Sequence, residues 1–369
     1  MFVVFVSFVF LVCEVASALY NKYYIRLNLI MQIEAVDLFC GAGGLTAGLI
    51  KSGVNVRAGY DVAEECRFAY EFNNHVPFIN KDVAEVMATE IASWYSKGSI
   101  RLLAGCAPCQ PFSTYNFGKD TTVDKKWPLL YHFSRLIKEI EPELVTMENV
   151  PNIVKHKVYQ DFVAQLESLG YTISAKEVSC LNYGIPQTRS RHVLLASKVG
   201  TVKLIQPTHS KPVTVRNTIS KLEPLLAGQT SLKDPLHKSS KLDEKNLQRI
   251  MHSKPGGTWM DWPVNLRAEC HKKQSGKTYT SVYGRMEWDK PAPTMTTLCY
   301  GFGNGRFGHP EQDRAISLRE AALFQTFPDC YKFTETSKII NFRKVGRMIG
   351  NAVPVRLGEV IGLSFRNLF

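Results

Sequence analysis

The chain has 369 residues, of which 45% are hydrophobic and 21% charged, so it can bury a large core and is not intrinsically disordered. Its nine cysteines are irregularly spaced, which is not typical of a disulfide framework and favours a reducing compartment. The net charge is +12, and residues 201–315, with 18 basic and 10 acidic side chains, carry +8 of it. This basic segment suggests a polyanionic partner, with a solvated lysine-rich surface as the alternative.

The first thirty residues form an apolar extension. Residues 1–12 are apolar except for Ser7, no Lys or Arg precedes them, and Glu14 interrupts the run before it reaches membrane-spanning length. We expect Met31 to be the natural start and residues 1–30 to be a non-native extension. An unusual membrane anchor is the alternative.

From Ile33 onwards, strand and helix patterns alternate, which predicts an α/β fold with a mainly parallel sheet and helices on both faces. Apolar spacing predicts helices at 129–140, 158–169, 318–324 and 355–363. After residue 200, the alternation stops, and six prolines interrupt the chain between residues 207 and 263. We therefore predict a first domain at 31–200, an irregular second domain at 201–315, and a segment at 316–369 that returns to the first domain. The predicted strands are 33–39, 54–60, 78–80, 101–104, 144–147, 172–178 and 191–196.

A glycine-rich loop from Asp37 to Gly44 joins the first predicted strand to a helix. Its glycines allow a ligand to approach the backbone at a helix N-terminus. Thr46 stands where a dinucleotide fingerprint requires a third glycine, while Asp61, at the end of the second strand, can accept hydrogen bonds from both hydroxyls of a ribose. The pattern favours an adenosine-containing cofactor without a pyrophosphate, with a tight packing turn as the alternative.

Two candidate chemical groups follow neighbouring strands, at the sheet edge where α/β proteins bind ligands. Cys109 follows the fourth strand and Glu148 the fifth. A thiolate can add to an electron-poor ring carbon and activate its neighbour. Cys106 and Cys109 form a C-x-x-C pair, but no second pair or paired His completes a zinc site. A thioredoxin-like motif belongs earlier in its domain, after the first strand.

Six ordered motifs, from Ile33 to the C-terminus, resemble those of DNA (cytosine-5) methyltransferases, most of all the bacterial enzymes of restriction–modification systems. In chain order they are Phe39-x-Gly41-x-Gly43, Pro108-Cys109-Gln110, Glu148-Asn149-Val150, Gln187-x-Arg189-x-Arg191, Arg319-Glu320-(x)4-Gln325-x-Phe327-Pro328-Asp329 and Gly350-Asn351-Ala352-Val353-Pro354. The resemblance implies a Rossmann-like, S-adenosyl-L-methionine-dependent methyltransferase domain with a smaller target recognition domain at 201–315.

The resemblance also implies the chemistry. The enzyme would methylate carbon 5 of a cytosine that is flipped out of a specific duplex DNA sequence. Cys109 would add at carbon 6, Glu148 would donate a proton or hydrogen bond near ring N3, and Asn149 would hold the ring edge. Arg191 would contact the base and Glu148, with Arg189 nearer the backbone. Residues 111–126 would form a loop that closes over the base.

The cofactor contacts follow from the same resemblance. Phe39 would pack on the adenine, Asp61 would bind the ribose, and Asn351 would close the pocket. Asp82 and Val83 would lie at the adenine edge, although an Asp before a helical stretch is often a simple N-cap. Asp61 replaces the Glu of many relatives, and we interpret the additional thiol of Cys106 as packing. The remaining predicted cofactor residues are Gly41, Gly43, Gly44, Val62 and Pro108. No metal is expected.

The basic segment lies where this family has its recognition domain. Arginine can read guanine in the major groove, and lysine can contact phosphates. Tryptophans in so small a domain more often form its core than stack on bases. The candidate base-reading residues of this segment are Arg267, Arg285 and Arg306, and its tryptophans are Trp259, Trp262 and Trp288.

Double-stranded DNA is the expected substrate, and transfer RNA is the nearest rival within the same chemistry. Two further alternatives are an adenosine-cofactor oxidoreductase that uses the Cys106/Cys109 pair and a catalytically inactive DNA-binding protein. We expect a monomer without stable membrane association, located in the cytoplasm at the nucleoid. A restriction endonuclease is a possible genetic partner.

Overall fold

A computed structural model describes residues 32–108 and 127–369, apart from the side chains of Trp127, Pro128 and Ser275. The expected N-terminal extension, Cys109, Gln110 and the predicted closing loop at 111–126 lie outside the described residues. Within the described ranges, no helix is both long and apolar enough to cross a membrane.

The described chain is built on one seven-stranded sheet with the order β3-β2-β1-β4-β5-β7-β6. Among these strands, β7 alone runs in the opposite direction, so its pairings with β5 and β6 are antiparallel and the other pairings are parallel. The predicted mainly parallel α/β fold is therefore confirmed. The strands are β1 Ile33–Leu38, β2 Asn55–Asp61, β3 Phe78–Asn80, β4 Ile100–Gly105, β5 Leu144–Asn149, β6 Thr172–Ser179 and β7 Ser190–Ser197.

Strand β5 extends two residues beyond its predicted end. Glu148 and Asn149 pair with Val193 and His192 of β7, so both side chains are fixed by a ladder rather than carried on a loop. The ladder holds them at the carboxyl end of the sheet, beside the end of β4.

Helices cover both faces of the sheet. On one face, Phe133 and Phe162 pack against Leu103; on the other, the first and last helices pack together against Leu102. Those two helices touch closely, because a Cβ on Gly48 would lie 2.3 Å from Val355 O. The helices are α1 Gly44–Lys51, α2 Arg67–Asn74, α3 Ala88–Ala92, α4 Trp127–Ile140, α5 Lys157–Ser168, α6 Val215–Ile219, α7 Glu244–Met251, α8 Glu269–Lys272, α9 Leu318–Phe324, α10 Phe342–Asn351 and α11 Val355–Arg366.

Residues 201–315 have short helices and isolated bridges instead of a strand ladder. Trp259 and Trp262 are buried in a small core of their own, as the sequence argument favoured for tryptophans in a small domain. Arg285 is buried as well and donates to the carbonyls of residues 250, 253, 309 and 312. Its interpretation as a base reader is corrected, because its guanidinium is committed to holding this segment together.

Candidate active site

The loop after β1 turns sharply through left-handed backbone conformations. Phe39 has φ +59°, Gly41 +51° and Gly43 +88°. A side chain at Gly43 would strike Asn74, since its Cβ would lie 2.4 Å from Nδ2. The loop is also supported by a distant segment, because Tyr331 donates its hydroxyl hydrogen to Ala42 O at 2.6 Å. A bulky residue in the left-handed region stores strain that is typical of ligand-binding loops.

Asp61 closes this loop from the end of β2. Its Oδ2 accepts the Gly41 N–H at 2.9 Å, and its Oδ1 accepts the Ala63 N–H at 2.8 Å. Burial raises the pKa of the Asp61 carboxyl, and these backbone donors oppose that shift. Each carboxylate oxygen keeps a second lone pair, so Asp61 can still accept hydrogen bonds from a ligand.

Asp37 is a site residue that the motif argument passed over. Burial raises the pKa of its carboxyl to about 7, and Thr46 donates to its Oδ2 at 2.7 Å. Its Oδ1 is buried and has no hydrogen-bond partner among the described residues. Thr46 therefore holds the Asp37 carboxyl in place, whereas the sequence argument considered it only as the residue that replaces the third glycine of a dinucleotide fingerprint.

Glu148 lies at the chemical end of the site and is only 3% exposed. Arg191 Nε is 2.9 Å from Oε1, but its N–H is not aligned on that oxygen, which has no hydrogen-bond partner among the described residues. The contact is therefore an ion pair without a hydrogen bond. The Cys106 thiol donates to Oε2 at 2.8 Å. The interpretation of Cys106 as packing is thus incomplete, because its sulfur contacts the candidate acid directly.

Asn149 and Arg189 hold backbone segments in place. Asn149 donates from Nδ2 to Ala107 O at 3.1 Å, which fixes the chain just before Pro108. Arg189 is buried and donates to Met295 O at 3.1 Å and to Ala352 O at 3.4 Å. Asp82 accepts the Ala84 N–H at 2.9 Å within a turn, and the next helix, Ala88–Ala92, has Met87 and not Asp82 as its N-cap; Asp82 also lines the cavity described next.

One cavity of about 390 Å³ joins the two ends of the site. Gly43 does not line it and instead packs against Asn74 and Tyr331. The cavity wall also includes Asp37, Glu65 and Arg347, which the motifs did not indicate. The predicted residues that do line it are Phe39, Gly41, Gly44, Asp61, Val62, Asp82, Val83, Pro108, Glu148, Asn149, Arg189, Arg191 and Asn351.

Metal chemistry has no support in the described residues. Within residues 32–108 and 127–369, no group of three or more His, Cys, Asp or Glu side chains could hold an ion. The arrangement is instead a glycine loop and a carboxylate at one end of a cavity, with an acid–arginine pair at the other. Together with the sheet, this defines the class of α/β methyltransferases.

Comparisons with known proteins specify the family. Residues 33–366 match the model of the C-5 cytosine-specific DNA methylases. The Type II methylase M.HgiDII of Herpetosiphon aurantiacus is 53% identical over 90% of this chain and 94% of its own length. The Type II methyltransferase M1.BsuMI of Bacillus subtilis is 31% identical over 90% of this chain and 80% of its own. The chain belongs to the C-5 cytosine-specific DNA methylase family and is a DNA (cytosine-5) methyltransferase.

Solved structures agree on the fold. A prophage-encoded DNA modification methyltransferase from Escherichia coli has a TM-score of 0.69 at 23% identity, covering 91% of this chain and 99% of that one. The Entamoeba histolytica methyltransferase EhMeth has a TM-score of 0.62 at 15% identity, covering 92% and 99%. These structures support the fold, while the family model and the 53% identical relative confirm the predicted resemblance to the cytosine-5 methyltransferases.

Proposed function

We propose that this protein transfers a methyl group from S-adenosyl-L-methionine to carbon 5 of a cytosine flipped out of a specific duplex DNA sequence, through a covalent adduct between Cys109 and carbon 6. The single observation that carries the proposal is the shared cavity. It has the glycine loop and Asp61 at one end and Glu148 with Arg191 at the other, so a methyl donor and a base can meet inside it.

The donor end fits a cationic adenosine compound. The Asp61 carboxylate can accept hydrogen bonds from the ribose hydroxyls, and Phe39 offers an aromatic face to the adenine. Asp37 Oδ1 is a buried acceptor that lacks a hydrogen-bond partner among the described residues, which suits a ligand with positive charge. When bound, S-adenosyl-L-methionine supplies an electrophilic methyl group. Val62, Asp82, Val83 and Asn351 would complete the walls around it.

At the other end, the side chains activate the base. Carbon 5 of cytosine is too weak a nucleophile alone, so the Cys109 thiolate forms a sulfur–carbon bond at carbon 6. This addition moves an electron pair towards N3, where Glu148 supplies a proton or hydrogen bond. After carbon 5 is methylated, loss of its proton and cleavage of the sulfur–carbon bond restore the thiolate. Proton transfer of this kind typically contributes about 10²–10⁴-fold to a rate.

Arg191 and Asn149 organise this end of the cavity. Arg191 compensates the buried charge of Glu148 without occupying both of its oxygens. Asn149 donates to Ala107 O and so fixes the backbone just before Cys109 in the chain. Arg189 acts further back by tying β7 to the carbonyls of Met295 and Ala352.

Duplex DNA is the substrate that the basic segment at 201–315 favours over transfer RNA. Flipping the base costs a few kcal/mol, and contacts from this segment would offset that cost. We further propose that the enzyme acts as a monomer at the nucleoid, and that a restriction endonuclease is its genetic partner.

A labelling assay with the parent protein and one active-site variant, Cys109→Ser, tests the proposal. The protein is incubated with S-adenosyl-L-methionine carrying a tritiated methyl group and with unmethylated DNA amplified from a bacterial genome, in parallel with transfer RNA. We expect label in DNA alone, no turnover by Cys109→Ser, and retained cofactor binding by that variant. Label in transfer RNA, or full turnover by Cys109→Ser, contradicts the proposal.

A further inference from the structure

Cys106 lies beside Glu148 because of the register of the sheet. The ladder pairs Gly105 of β4 with Met147 of β5, so the next residue of each strand is Cys106 and Glu148. Neighbouring strands lie about 4.8 Å apart, and side chains at paired positions share one face. The fold therefore places the two side chains next to each other, and the hydrogen bond from Sγ to Oε2 forms between neighbours that the register fixes.

The backbone at Cys106 is held from two sides. Its N–H donates to Leu38 O of β1 at 3.3 Å, and the carbonyl of the following Ala107 accepts from Asn149 at 3.1 Å. A Cβ on Gly105 would lie 2.8 Å from Phe133, so β4 packs tightly just before the thiol. Cys106 thus presents its sulfur from a fixed position.

The Cys106 thiol and Arg191 contact different oxygens of the Glu148 carboxylate. An arginine and a carboxylate prefer to form two parallel hydrogen bonds, which occupy both oxygens. The terminal torsion of a glutamate is soft, so nothing in its own side chain prevents this arrangement. At this site the Cys106 thiol donates to Oε2, whereas Arg191 Nε lies 2.9 Å from Oε1 without an aligned hydrogen bond, so Oε1 keeps its hydrogen-bonding capacity.

We propose that Cys106 is a positioning residue: its thiol hydrogen bond to Oε2 holds the Glu148 carboxyl in an orientation that leaves Oε1 available to the flipped base. The inference rests on the proposed role of Glu148 as the group that meets ring N3. It assigns to this chain's additional thiol a function that the packing interpretation lacks.

The test compares Cys106→Ala with Cys106→Ser in the methyl-transfer assay, using the same tritiated donor and amplified DNA. We expect kcat of Cys106→Ala to fall by about tenfold, the effect of losing one hydrogen bond to a charged group. The KM values for the donor and for DNA stay unchanged, and so does the unfolding midpoint. The serine variant keeps a donor and remains within about threefold of the parent, by the same reasoning. The exposed Cys330, as Cys330→Ala, is the matched thiol control.

A double-mutant cycle separates positioning from packing. If the thiol acts through the carboxyl, Cys106→Ala adds no further loss of kcat in a Glu148→Gln background. Unchanged kcat in Cys106→Ala overturns the inference, and so does an additive loss accompanied by a lower unfolding midpoint. If Glu148→Gln itself retains the parent's kcat, the proposed role of Glu148 fails, and the inference fails with it for that distinct reason.

Discussion

Two buried carboxylates, one at the active site and one where the recognition segment meets α9, differ in how fully their oxygens are used. Glu320 forms two hydrogen bonds of 2.8 Å with Arg314 and a third, of 2.6 Å, with the Ser317 N–H. Glu148 has one thiol donor and an unaligned arginine. Both are at most 3% exposed.

The difference shows how to distinguish an ion pair that stabilises the fold from one that can take part in catalysis. Arg314 and Ser317 hold the pKa of Glu320 at about 2 against the effect of burial. Its charge is permanent, and its capping box starts α9. Glu148 retains an unused acceptor at the wall of the cavity. A buried carboxylate that has an oxygen without a hydrogen-bond donor can bind a substrate. A buried carboxylate whose two oxygens both accept hydrogen bonds stabilises the fold.

The largest expected effect comes from breaking the saturated pair. Glu320→Gln leaves Arg314, which is fully buried, without a counter-charge, and breaking such a pair typically costs about 3–5 kcal/mol. We expect the free energy of unfolding, measured with urea, to fall by this amount. Residual folded protein should keep its kcat. An unchanged urea midpoint would mean that the pair is not structural.

Glu148→Gln is the matched substitution at the active site. We expect kcat to fall by about a hundredfold or more, because a proton-donating side chain is lost. The free energy of unfolding should change by only about 1 kcal/mol, since Arg191 is 13% exposed and reaches solvent. The same urea and methyl-transfer measurements check both variants. A stability loss equal to that of Glu320→Gln would remove the distinction between the two sites.

The active-site half is expected to lose stability as the pH rises. The pKa of Asp37 is raised to about 7, above its ordinary value of 3.8, so the folded state binds the extra proton between these values. The contribution of Asp37 to stability is then greatest below about pH 4 and declines towards pH 7 by about 4 kcal/mol. Urea unfolding at several pH values checks this slope, which Asp37→Asn should flatten. A cationic cofactor should bind more tightly as Asp37 ionises near pH 7.

The stability of the region where residues 201–315 meet α9 should respond to pH in the opposite direction. Burial lowers the pKa of His309 to about 4, so between pH 6.5 and 4 the unfolded chain gains a proton that the folded chain does not. Stability therefore falls as the pH decreases through this window, by about 3 kcal/mol. His309→Gln should reduce this acid sensitivity in the same urea series. If the variant loses as much stability between pH 6.5 and 4 as the parent does, groups other than His309 cause the loss.

The smallest effect is expected from single lysines of the recognition segment. Lys273 and Lys277 are exposed, and each is expected to neutralise about one DNA phosphate. Replacing either with Gln should reduce the slope of log affinity against log salt by roughly one. Lys97, exposed at the amino end of β4 and away from the cavity, is the control. Equal slopes for all three variants would argue against DNA contact by this segment.

Much of the fold could be predicted from the sequence, because hydrophobic periodicity reports directly on sheets and helices. All seven strands were predicted, with ends that differ by no more than two residues. The antiparallel direction of β7 could not be predicted, since alternation of apolar residues is the same in either direction. Nor could the burial of Arg285, because a charged residue in an irregular segment resembles a surface residue until its carbonyl partners are known.

The candidate site was predictable where motifs mark it. The cavity joins Asp61, Glu148 and Arg191, which the sequence had singled out separately. Asp37 and Cys106 needed the structure, because their importance lies in an unpartnered oxygen and in a cross-strand contact. Neither feature has a signature in residue spacing.

The central claim is that Cys109 and Glu148 methylate carbon 5 of cytosine in DNA. The most direct measurement is bisulfite sequencing of initially unmethylated DNA after incubation with S-adenosyl-L-methionine and either the parent protein or Cys109→Ser. We predict protected cytosines at one short recurring sequence with the parent and none with the variant. Protection by the variant, or none by the active parent, would contradict this account.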